Sequence, residues 1–595
     1  MKCKSLIAAV CIFSFSFSAS AANENLRVKN APPLIRATPP APKPTDAERQ
    51  AELSARRAAV FAKMDDKSVL ILFSAAPKIY TGDVDFMYRQ ENNLYYLTNL
   101  KQNNAALILT KFAGQTREFL FIPKRNPASE TWNGRMYSRE EATKISGVET
   151  LGDFSKFNNF LKSLKDKLSF NSIVESVSET PTPENVYLLL PENADDSDGK
   201  REFVKESELF ASLNGYKIKN AQPIFAGLRQ IKSPFEQKLL QHAIDITTEA
   251  QMRAMATAKQ SKWEYETQAE IEYIFRKRNA DYWGYPSIVG CGPNATTLHY
   301  VESQGEIKTG DLFLMDVGAE YDHYTADVTR TFPVSGKFTR EQAEIYQIVY
   351  DAQEAAAKTI KPGAMYREPK QAAAQILEKG LAKLGLISGV GAFIPGTTQE
   401  VPDGKGGTRA VGIPQYTLWY MHGWGHWLGM NVHDVGDYGI PFKEGMITTN
   451  EPGIYIREDA LDYLPKTAES AAFIEKVRPA FEKYKSIGVR IEDDMLVTKT
   501  GVEWMTKNLP RSVADIEAFM AKSQKDWVQT ASKKNIGLRQ TVGEIDKNFF
   551  LTDYKSYLFA GKTSELQGKI VRRGSIAAGG KTAFSGLSHS ETHAE

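Results

Sequence analysis

The stretch Asp316-Val317-Gly318-Ala319-Glu320-Tyr321-Asp322-His323-Tyr324-Thr325-Ala326-Asp327 sets the fold of the second half of this chain. Apolar residues 312–315 precede it, and β-prone residues 328–332 follow it. Two β-prone runs around a polar centre predict a β-hairpin. This hairpin is the element from which the other predictions are built.

The two end aspartates of this stretch are the first candidates for chemistry. A symmetric hairpin about Tyr321 and Asp322 would place Asp316 opposite Asp327 on one face, with Cβ atoms roughly 5 Å apart. Two carboxylates that close repel each other unless a positive charge lies between them. A divalent cation with oxygen ligands satisfies that need. Two aspartates on a solvated hairpin face are the alternative, and this stretch alone does not separate the two.

Length and composition describe a soluble globular protein with several domains. A chain of 595 residues is too long for one core, so we expect two or three domains. A hydrophobic content of 42% and a charged content of 25% are ordinary for such proteins. The formal net charge of +2 favours neither nucleic acid nor an anionic membrane surface as a partner.

The N-terminus has the features of a secretory signal peptide over residues 1–21. Two lysines precede a short apolar run at 6–17, and Ala19-Ser20-Ala21 matches a cleavage site. The apolar run is too short to span a bilayer well, so membrane insertion is not expected. The protein is therefore predicted to be exported, to the periplasm or outside the cell.

Beyond the signal peptide, composition and periodicity divide the chain into four parts. Residues 22–48 are proline-rich and predict an extended, disordered linker. Residues 49–225 alternate helical and strand patterns, which predicts an α/β domain. Residues 226–521 form a second domain, with both helical and strand patterns, that contains the hairpin. Residues 522–595 are a C-terminal extension, partly disordered because Gly, Ser and Ala dominate its end.

Individual elements follow from the same patterns. In the first domain we expect helices at 51–64 and near 154–168, and strands at 68–74, 94–97, 105–110, 119–122 and 187–190. In the second domain we expect helices over 239–250, 345–360, 373–384 and 468–484, and strands at 312–317, 324–332, 446–456 and 487–498.

Three of the eight histidines lie within residues 421–434. His422 and His426 are four residues apart, which on a helix would place both on one face, as in other helical metal sites. A purely structural histidine pair is the alternative interpretation.

Two glutamates complete an oxygen-rich set. Glu451 precedes Pro452-Gly453 at the end of a strand, and Glu492 shares one strand face with Arg490. Taken alone, each glutamate is also typical of a solvent-exposed turn or strand face. Together, four carboxylates and one imidazole balance the charge of two divalent cations at a partly buried site, and the set suits Mn, Co, Fe or Zn: Asp316, Asp327, His426, Glu451 and Glu492.

In this order, Asp-x10-Asp, His-Gly-x-x-His, Glu-Pro-Gly and Arg-Ile-Glu resemble the motifs of the pita-bread metallopeptidases, which include aminopeptidase P, prolidase and methionine aminopeptidase. The resemblance covers about residues 50–521. Residues 86–97 and 130–134 resemble the N-terminal domain of aminopeptidase P, which methionine aminopeptidases lack. Creatinase shares the fold without this metal set and is disfavoured. The resemblance implies an α/β fold class, with an aminopeptidase P-like N-terminal α/β domain and a C-terminal α+β pita-bread catalytic domain.

The same resemblance assigns roles to individual residues. It makes the five residues above the ligands of two divalent ions, with manganese preferred and cobalt, zinc and iron as alternatives. It gives catalytic roles to His299, His433 and Glu451, and supporting roles to His422 and Arg490. In the implied mechanism the ions activate water, Glu451 carries a proton to the leaving imino nitrogen, and His433 and His299 stabilise and position the tetrahedral intermediate.

The resemblance implies hydrolysis of the N-terminal Xaa-Pro bond of peptides with proline second. Prolidase activity on Xaa-Pro dipeptides is the alternative, and a non-catalytic binding module is a third reading. An arginine at the far end of the cleft would capture a dipeptide carboxylate, whereas an open cleft would admit longer peptides. The loops 387–419 and 456–486 are candidates to line that end. By analogy with the family, a homodimer or tetramer is expected.

Overall fold

The computed structural model describes residues 35–169, 181–193, 196–402 and 407–523. The predicted signal peptide, the beginning of the proline-rich segment and nearly all of the C-terminal extension lie outside these residues, so they stay predictions. No helix within the described ranges combines the length and apolar character that crossing a membrane requires.

The α-helices of the described residues are α1 (Asp46–Lys63), α2 (Asn92–Thr98), α3 (Pro127–Asn133), α4 (Arg139–Ser146), α5 (Phe154–Lys165), α6 (Ser197–Glu202), α7 (Val204–Ser212), α8 (Gln222–Arg229), α9 (Pro234–Thr257), α10 (Glu264–Lys277), α11 (Arg340–Ala357), α12 (Arg367–Leu384) and α13 (Ala468–Tyr484).

The strands of the described residues are β1 (Ser68–Phe73), β2 (Ile79–Thr81), β3 (Val84–Asp85), β4 (Ala106–Phe112), β5 (Gln115–Ile122), β6 (Leu151–Asp153), β7 (Asn185–Leu188), β8 (Lys217–Asn220), β9 (Tyr282–Trp283), β10 (Ile288–Cys291), β11 (Leu312–Val317), β12 (Ala319–Tyr321), β13 (Tyr324–Thr325), β14 (Val328–Pro333), β15 (Phe393–Pro402), β16 (Thr408–Pro414), β17 (Ile447–Asn450), β18 (Gly453–Tyr455), β19 (Gly488–Arg490), β20 (Asp493–Val497) and β21 (Val502–Trp504).

A mixed six-stranded sheet organises the N-terminal half, with strand order β6-β5-β4-β1-β7-β8. Its central strand β1 pairs antiparallel with β4 and parallel with β7, and all six of its residues are buried. A strand covered on both faces reads as a continuous apolar run, which is why β1 was predictable. The mixture of helices and sheets agrees with the predicted α/β class.

The predicted strand at 94–97 is wrong, because these residues lie in helix α2. The carboxylate of Glu91 caps the helix by accepting bonds from the N–H groups of Asn93 and Leu94. Asn99 ends it in the left-handed conformation. Caps at both ends therefore override the β-preference of the bulky residues between them.

The hairpin forms, but its predicted register is wrong. Asp316 pairs with Thr329, not with Asp327. The turn is centred one residue later than predicted, on Asp322 and His323, whose φ values of 52° and 66° suit a two-residue hairpin loop. Moving the centre of the turn by one residue shifts the residue opposite Asp316 by two positions. Because side chains two residues apart point to the same face of a strand, both aspartates still share one face and are diagonal neighbours.

Strand pairing is interrupted where three of the predicted site acids lie. Asp327 falls between β13 and β14, Glu451 between β17 and β18, and Glu492 between β19 and β20. The flanking strands pair across these breaks, since Asn450 opposes Asp493 and Gly453 opposes Arg490. The breaks bring the three acids to a common position at the ends of short strands.

One apolar cluster runs through both halves of the described chain. Leu97 of α2 belongs to it, and so do Leu239, Tyr324, Met430 and Ile447. Helix α8 also crosses the predicted boundary after residue 225. We expected a separate core for each domain, whereas here residues 49–225 and 226–521 share part of theirs.

The proline-rich segment makes ordered contacts at Thr38. Its N–H donates to Oε2 of Glu249 in α9, at 2.7 Å. Ile35 packs against the apolar core of the C-terminal half. The part of the segment that the structure describes therefore packs against the folded domain, whereas its composition predicted disorder.

Candidate metal centre and active-site cleft

The nine residues singled out for the site line one cleft of about 410 Å³. Leu298 and Tyr438 contribute to its walls. The nine come from the hairpin, the histidine-rich segment and two broken strand pairs: His299, Asp316, Asp327, His422, His426, His433, Glu451, Arg490 and Glu492.

The centre of the cleft has the spacing of a cation site. Oδ2 of Asp327 lies 3.2 Å from Nε2 of His426, and Oε1 of Glu451 lies 3.4 Å from the same nitrogen. Asp327, His426 and Glu492 each offer a ligand atom, all within 4.8 Å of one another. One cation between these atoms can contact all three residues.

The buried acids here lack enough positive charge from the protein. Burial raises the pKa of Asp327 well above its usual range, and the charges of Asp316 and Glu451 raise it further. Burial followed by the charge of Asp327 does the same to the pKa of Glu492, and burial raises that of Glu451. Carboxyl groups with raised pKa values keep their protons until a bound cation displaces those protons. The donor set therefore fits divalent metal ions.

Tyr285 is a site residue that the sequence reasoning missed. Its hydroxyl lies 2.5 Å from Oδ1 of Asp316 and 2.5 Å from Oδ1 of Asp327. A hydroxyl carries one proton and donates to one carboxylate at a time. The hydroxyl thus links the carboxylates of the two aspartates. Nothing in the local sequence distinguishes this tyrosine from a core aromatic residue.

Asp494 is a second missed residue. It is fully buried, and its Oδ2 accepts the N–H of Asp327 at 3.3 Å. Its Oδ1 has no hydrogen-bond partner. Burial raises its pKa well above the usual range. The signal was available, because Asp494 follows Glu492 by two residues and so points to the same side of an extended chain.

The histidine-rich segment is not a helix, so the predicted basis for pairing His422 and His426 is wrong. The structure describes every residue of this segment, and its backbone is irregular. One isolated β-bridge joins Trp427 to Thr448. A Cβ atom on Gly425 would lie 2.4 Å from the carbonyl oxygen of Thr449. The glycine therefore lets the segment lie directly on β17. Both histidines reach the cleft by this packing.

A hydrogen-bond chain runs from Arg490 to His422. Nη1 of Arg490 donates to the Tyr455 hydroxyl at 2.8 Å, and that hydroxyl lies 2.9 Å from Nε2 of His422. His422 Nδ1 lies 2.7 Å from the Gly423 carbonyl, to which it donates, so Nε2 accepts from Tyr455. Burial, together with Arg490, lowers the pKa of His422 to about 3, so the ring is neutral. Tyr455 was also missed by the sequence reasoning.

All three nitrogens of the Arg490 guanidinium donate hydrogen bonds. Its Nη2 donates to Oδ2 of Asp316 at 2.5 Å, and its Nε donates to Oγ1 of Thr329 at 3.1 Å. The Thr329 hydroxyl in turn donates to Oε2 of Glu492 at 2.6 Å. Arg490 therefore orients Asp316 directly and Glu492 through Thr329, and each of its three nitrogens has a protein acceptor.

His433 and His299 line the cleft beside this centre. The His433 ring meets the His426 ring edge-on, with centroids 4.2 Å apart. Burial, followed by His426 and His299, lowers the pKa of His433 to about 4. At neutral pH His433 is uncharged, and one ring N–H is available to donate to a substrate oxygen.

Known proteins resemble this chain over most of its length. The sequence profile of metallopeptidase family M24 matches residues 238–499. A Xaa-Pro aminopeptidase of Haemophilus influenzae is 35% identical over 474 residues, which are 79% of this chain and 97% of that protein. The chain belongs to metallopeptidase family M24. The family resemblance and the fold class predicted from the motifs are thereby confirmed.

Other comparisons extend this M24 assignment to the N-terminal half. The profile of the aminopeptidase P N-terminal domain matches residues 53–172. A Xaa-Pro aminopeptidase of Escherichia coli is 32% identical over 80% of this chain and 98% of its own length. The structure of E. coli aminopeptidase P with the inhibitor Pro-Leu has a TM-score of 0.63 and 30% identity, covering 80% of this chain and 99% of that one.

Proposed function

We propose that this M24 protein is a Xaa-Pro aminopeptidase, which hydrolyses the first bond of peptides with proline second and releases the first residue. One observation carries the proposal: a single cleft brings together four acids, His426, His299 and His433. The relatives that share the two matched domains and nearly their whole length with this chain are Xaa-Pro aminopeptidases. Fold, cleft and relatives support the same reaction.

Two divalent ions are proposed as cofactors, held by Asp316, Asp327, His426, Glu451 and Glu492. Four carboxylates match the charge of two such ions, and an oxygen-rich set with one imidazole suits manganese, our first choice. A zinc-substituted form of the E. coli relative shows that zinc also enters that enzyme. When bound, such ions lower the pKa of water and polarise a carbonyl group.

The side chains of this protein supply the proton transfers and the oxygen contacts. When the bond before proline is cleaved, the proline imino nitrogen is the leaving group and must gain a proton. Glu451 is the proposed carrier, because it lines the cleft beside the proposed ligand His426, with its Oε1 3.4 Å from Nε2 of that residue. Neutral His433 donates to the substrate carbonyl oxygen, and His299 helps to position the tetrahedral intermediate. His422 and Arg490 hold the acids and the Tyr455 hydroxyl in place.

The charge of the cleft favours an aminopeptidase over a prolidase. Within the described ranges, Arg490 is the only arginine or lysine that lines the cleft, and Asp316, Tyr455 and Thr329 occupy its guanidinium. Among the cleft residues that the structure describes, a dipeptide carboxylate therefore meets no cation without a protein partner. Peptides that continue beyond proline have a neutral amide at that position and need none.

The test compares Xaa-Pro dipeptides with Xaa-Pro-Xaa peptides, before and after removal of metal with a chelator. We expect turnover of the longer peptides, loss of turnover with the chelator, and recovery with Mn²⁺. Faster cleavage of dipeptides would establish prolidase activity instead. A protein that cleaves neither after addition of manganese or cobalt would be a binding module.

We further propose that the protein is exported to the periplasm or outside the cell, and that it assembles as a homodimer or tetramer. The features of residues 1–21 support export, and analogy with the family supports assembly. Cell fractionation with N-terminal sequencing should find a mature chain that begins at Ala22. Light scattering after size-exclusion chromatography measures the number of subunits, and a monomer would contradict the assembly proposal.

A further inference from the structure

Arg89, in the N-terminal half, lies between two segments that carry much of the site. We call residues 316–327 the ligand hairpin and residues 421–434 the histidine segment. The Nε of Arg89 donates to both carboxylate oxygens of Glu320 in the ligand hairpin, at 3.1 and 2.8 Å. Its Nη2 donates to the carbonyl oxygen of Met430 in the histidine segment, at 2.8 Å. One side chain therefore ties both segments together.

These contacts close a ring of hydrogen bonds. Glu320 pairs with Thr325 across the ligand hairpin. The N–H of Thr325 donates to the carbonyl oxygen of Gly429 at 2.9 Å, and Gly429 is followed by Met430. Arg89 thus spans the same gap as the direct backbone bond. A ring closed at two points fixes the separation and the relative rotation of the segments better than either bond alone.

Neighbours of Arg89 hold the same two segments. Nη1 of Arg89 donates to Oδ1 of Asn92 at 3.0 Å, and Nδ2 of Asn92 donates to Oδ1 of Asn431 at 2.6 Å. At the tip of the ligand hairpin, the His323 ring stacks on Tyr95 with centroids 3.7 Å apart. The N-terminal half therefore contacts each segment at more than one point.

The separation of these segments determines the geometry of the centre. Asp327 comes from the ligand hairpin and His426 from the histidine segment, and their facing atoms are 3.2 Å apart. Functional side chains must be held to within about 0.5 Å of their working positions. We propose that Arg89 is a positioning residue, which sets the distance between these two groups from outside the catalytic half. This inference rests on the proposed function.

Arg57 offers a matched control. Like Arg89, it binds one carboxylate and two further oxygens, here both backbone carbonyl groups, through contacts of 2.8, 2.8 and 3.0 Å. All three partners lie within the N-terminal half: Glu118, Leu97 and Ser146. A lysine at either position keeps the charge and loses the fork of donors. Of these two arginines, only Arg89 donates hydrogen bonds to the two segments of the site.

The experiment compares Arg89→Lys, Arg57→Lys and the wild type. Calorimetry measures Mn²⁺ binding to each metal-free protein, and kinetics on a Xaa-Pro-Xaa peptide give kcat and KM. Urea unfolding records stability. Arg89→Lys should weaken Mn²⁺ binding and lower kcat by about 10-fold or more, the scale of lost partners around metal ligands, with little change in KM. Arg57→Lys should lower stability and leave both quantities unchanged.

If Arg89→Lys does not fold, Glu320→Gln replaces it, because this variant keeps the shape of the partner and weakens the same contact; a smaller loss of both quantities is expected. Wild-type Mn²⁺ affinity and kcat in the folded variant would overturn the inference. So would an equal loss in Arg57→Lys, since general loosening would then explain it. A wild type that cleaves no Xaa-Pro peptide defeats the proposed function, while the Mn²⁺ titration still tests Arg89.

Discussion

Two buried aspartates, Asp327 in the cleft and Asp434 next to the cleft residue His433, have opposite electrostatic surroundings. Asp434 binds Nη2 of Arg229 at 2.5 Å and faces Nζ of Lys232 at 3.4 Å. Although burial alone would raise the pKa of Asp434, these two cations lower it. Asp327 has acids around it instead, and its pKa is raised.

The difference separates a structural cluster from a binding site. Around Asp434 the protein supplies the balancing charges itself, so the cluster is complete as folded. Around Asp327 it supplies an excess of negative charge that is balanced only by something added. Buried charge of one sign in a cleft is thus a stronger sign of function than buried charge as such.

The largest effect is expected for Asp327→Asn, which removes one ligand from the centre. Loss of outer partners alone costs about 10- to 100-fold in affinity or activity, so loss of a ligand should exceed 100-fold in kcat/KM. Elemental analysis after dialysis measures the metal retained, and peptide hydrolysis measures turnover. Unchanged metal content would contradict the ligand assignment.

Asp434→Asn should act on stability, because it leaves Arg229 and Lys232 buried beside a neutral group. Breaking a buried ion pair costs about 3–5 kcal/mol, measurable by urea unfolding. In the metal-free protein Asp327→Asn should have the opposite sign, since it removes the cost of burying an acid among other acids. If both variants destabilise the metal-free protein equally, the two aspartates do not differ as described.

Metal binding should weaken as the pH falls. The raised pKa values of Asp327 and Glu492 mean that the metal-free protein holds protons there, which a cation must displace. Each displaced proton lowers the apparent affinity by about 10-fold per pH unit while that group stays protonated in the metal-free state. Calorimetry at pH 8 and pH 6.5 measures the change. The stabilisation of the fold by Mn²⁺ should shrink over the same range.

The smallest effect is expected for Tyr285→Phe, which keeps the ring and removes the hydroxyl between Asp316 and Asp327. Loss of one hydrogen bond of about 1 kcal/mol corresponds to roughly a 5-fold weaker Mn²⁺ affinity. Titration of the metal-free variant measures this. An affinity above that of the wild type would show that the hydroxyl competes with the metal for the two carboxylates.

The sequence predicted the members of the site better than its geometry. Order and chemistry selected the residues, and all nine line one cleft. The hairpin register failed because the prediction centred the turn on Tyr321 and Asp322, while the chain turns at Asp322 and His323. Since the side-chain period of a strand is two, that error left both aspartates on the same face.

Elsewhere the prediction failed where packing decides the local structure. A spacing of four residues suggested a helix for His422 and His426, but the glycines of that segment let it lie against β17 as irregular chain. Tyr285 and Tyr455 resemble core aromatic residues until the fold brings their hydroxyl groups to the acids. Such contacts between distant residues leave no local pattern.

The break between β19 and β20, where Glu492 lies, has a consequence for the synthesis of the protein. Glu492 is the last of the five proposed ligands in the chain, far behind Asp316 in the ligand hairpin. A growing chain therefore leaves the ribosome with an incomplete centre until the strands around Glu492 have emerged and paired. Bound metal would then require a chain whose synthesis has passed Glu492, so an unfinished chain would not hold a complete centre.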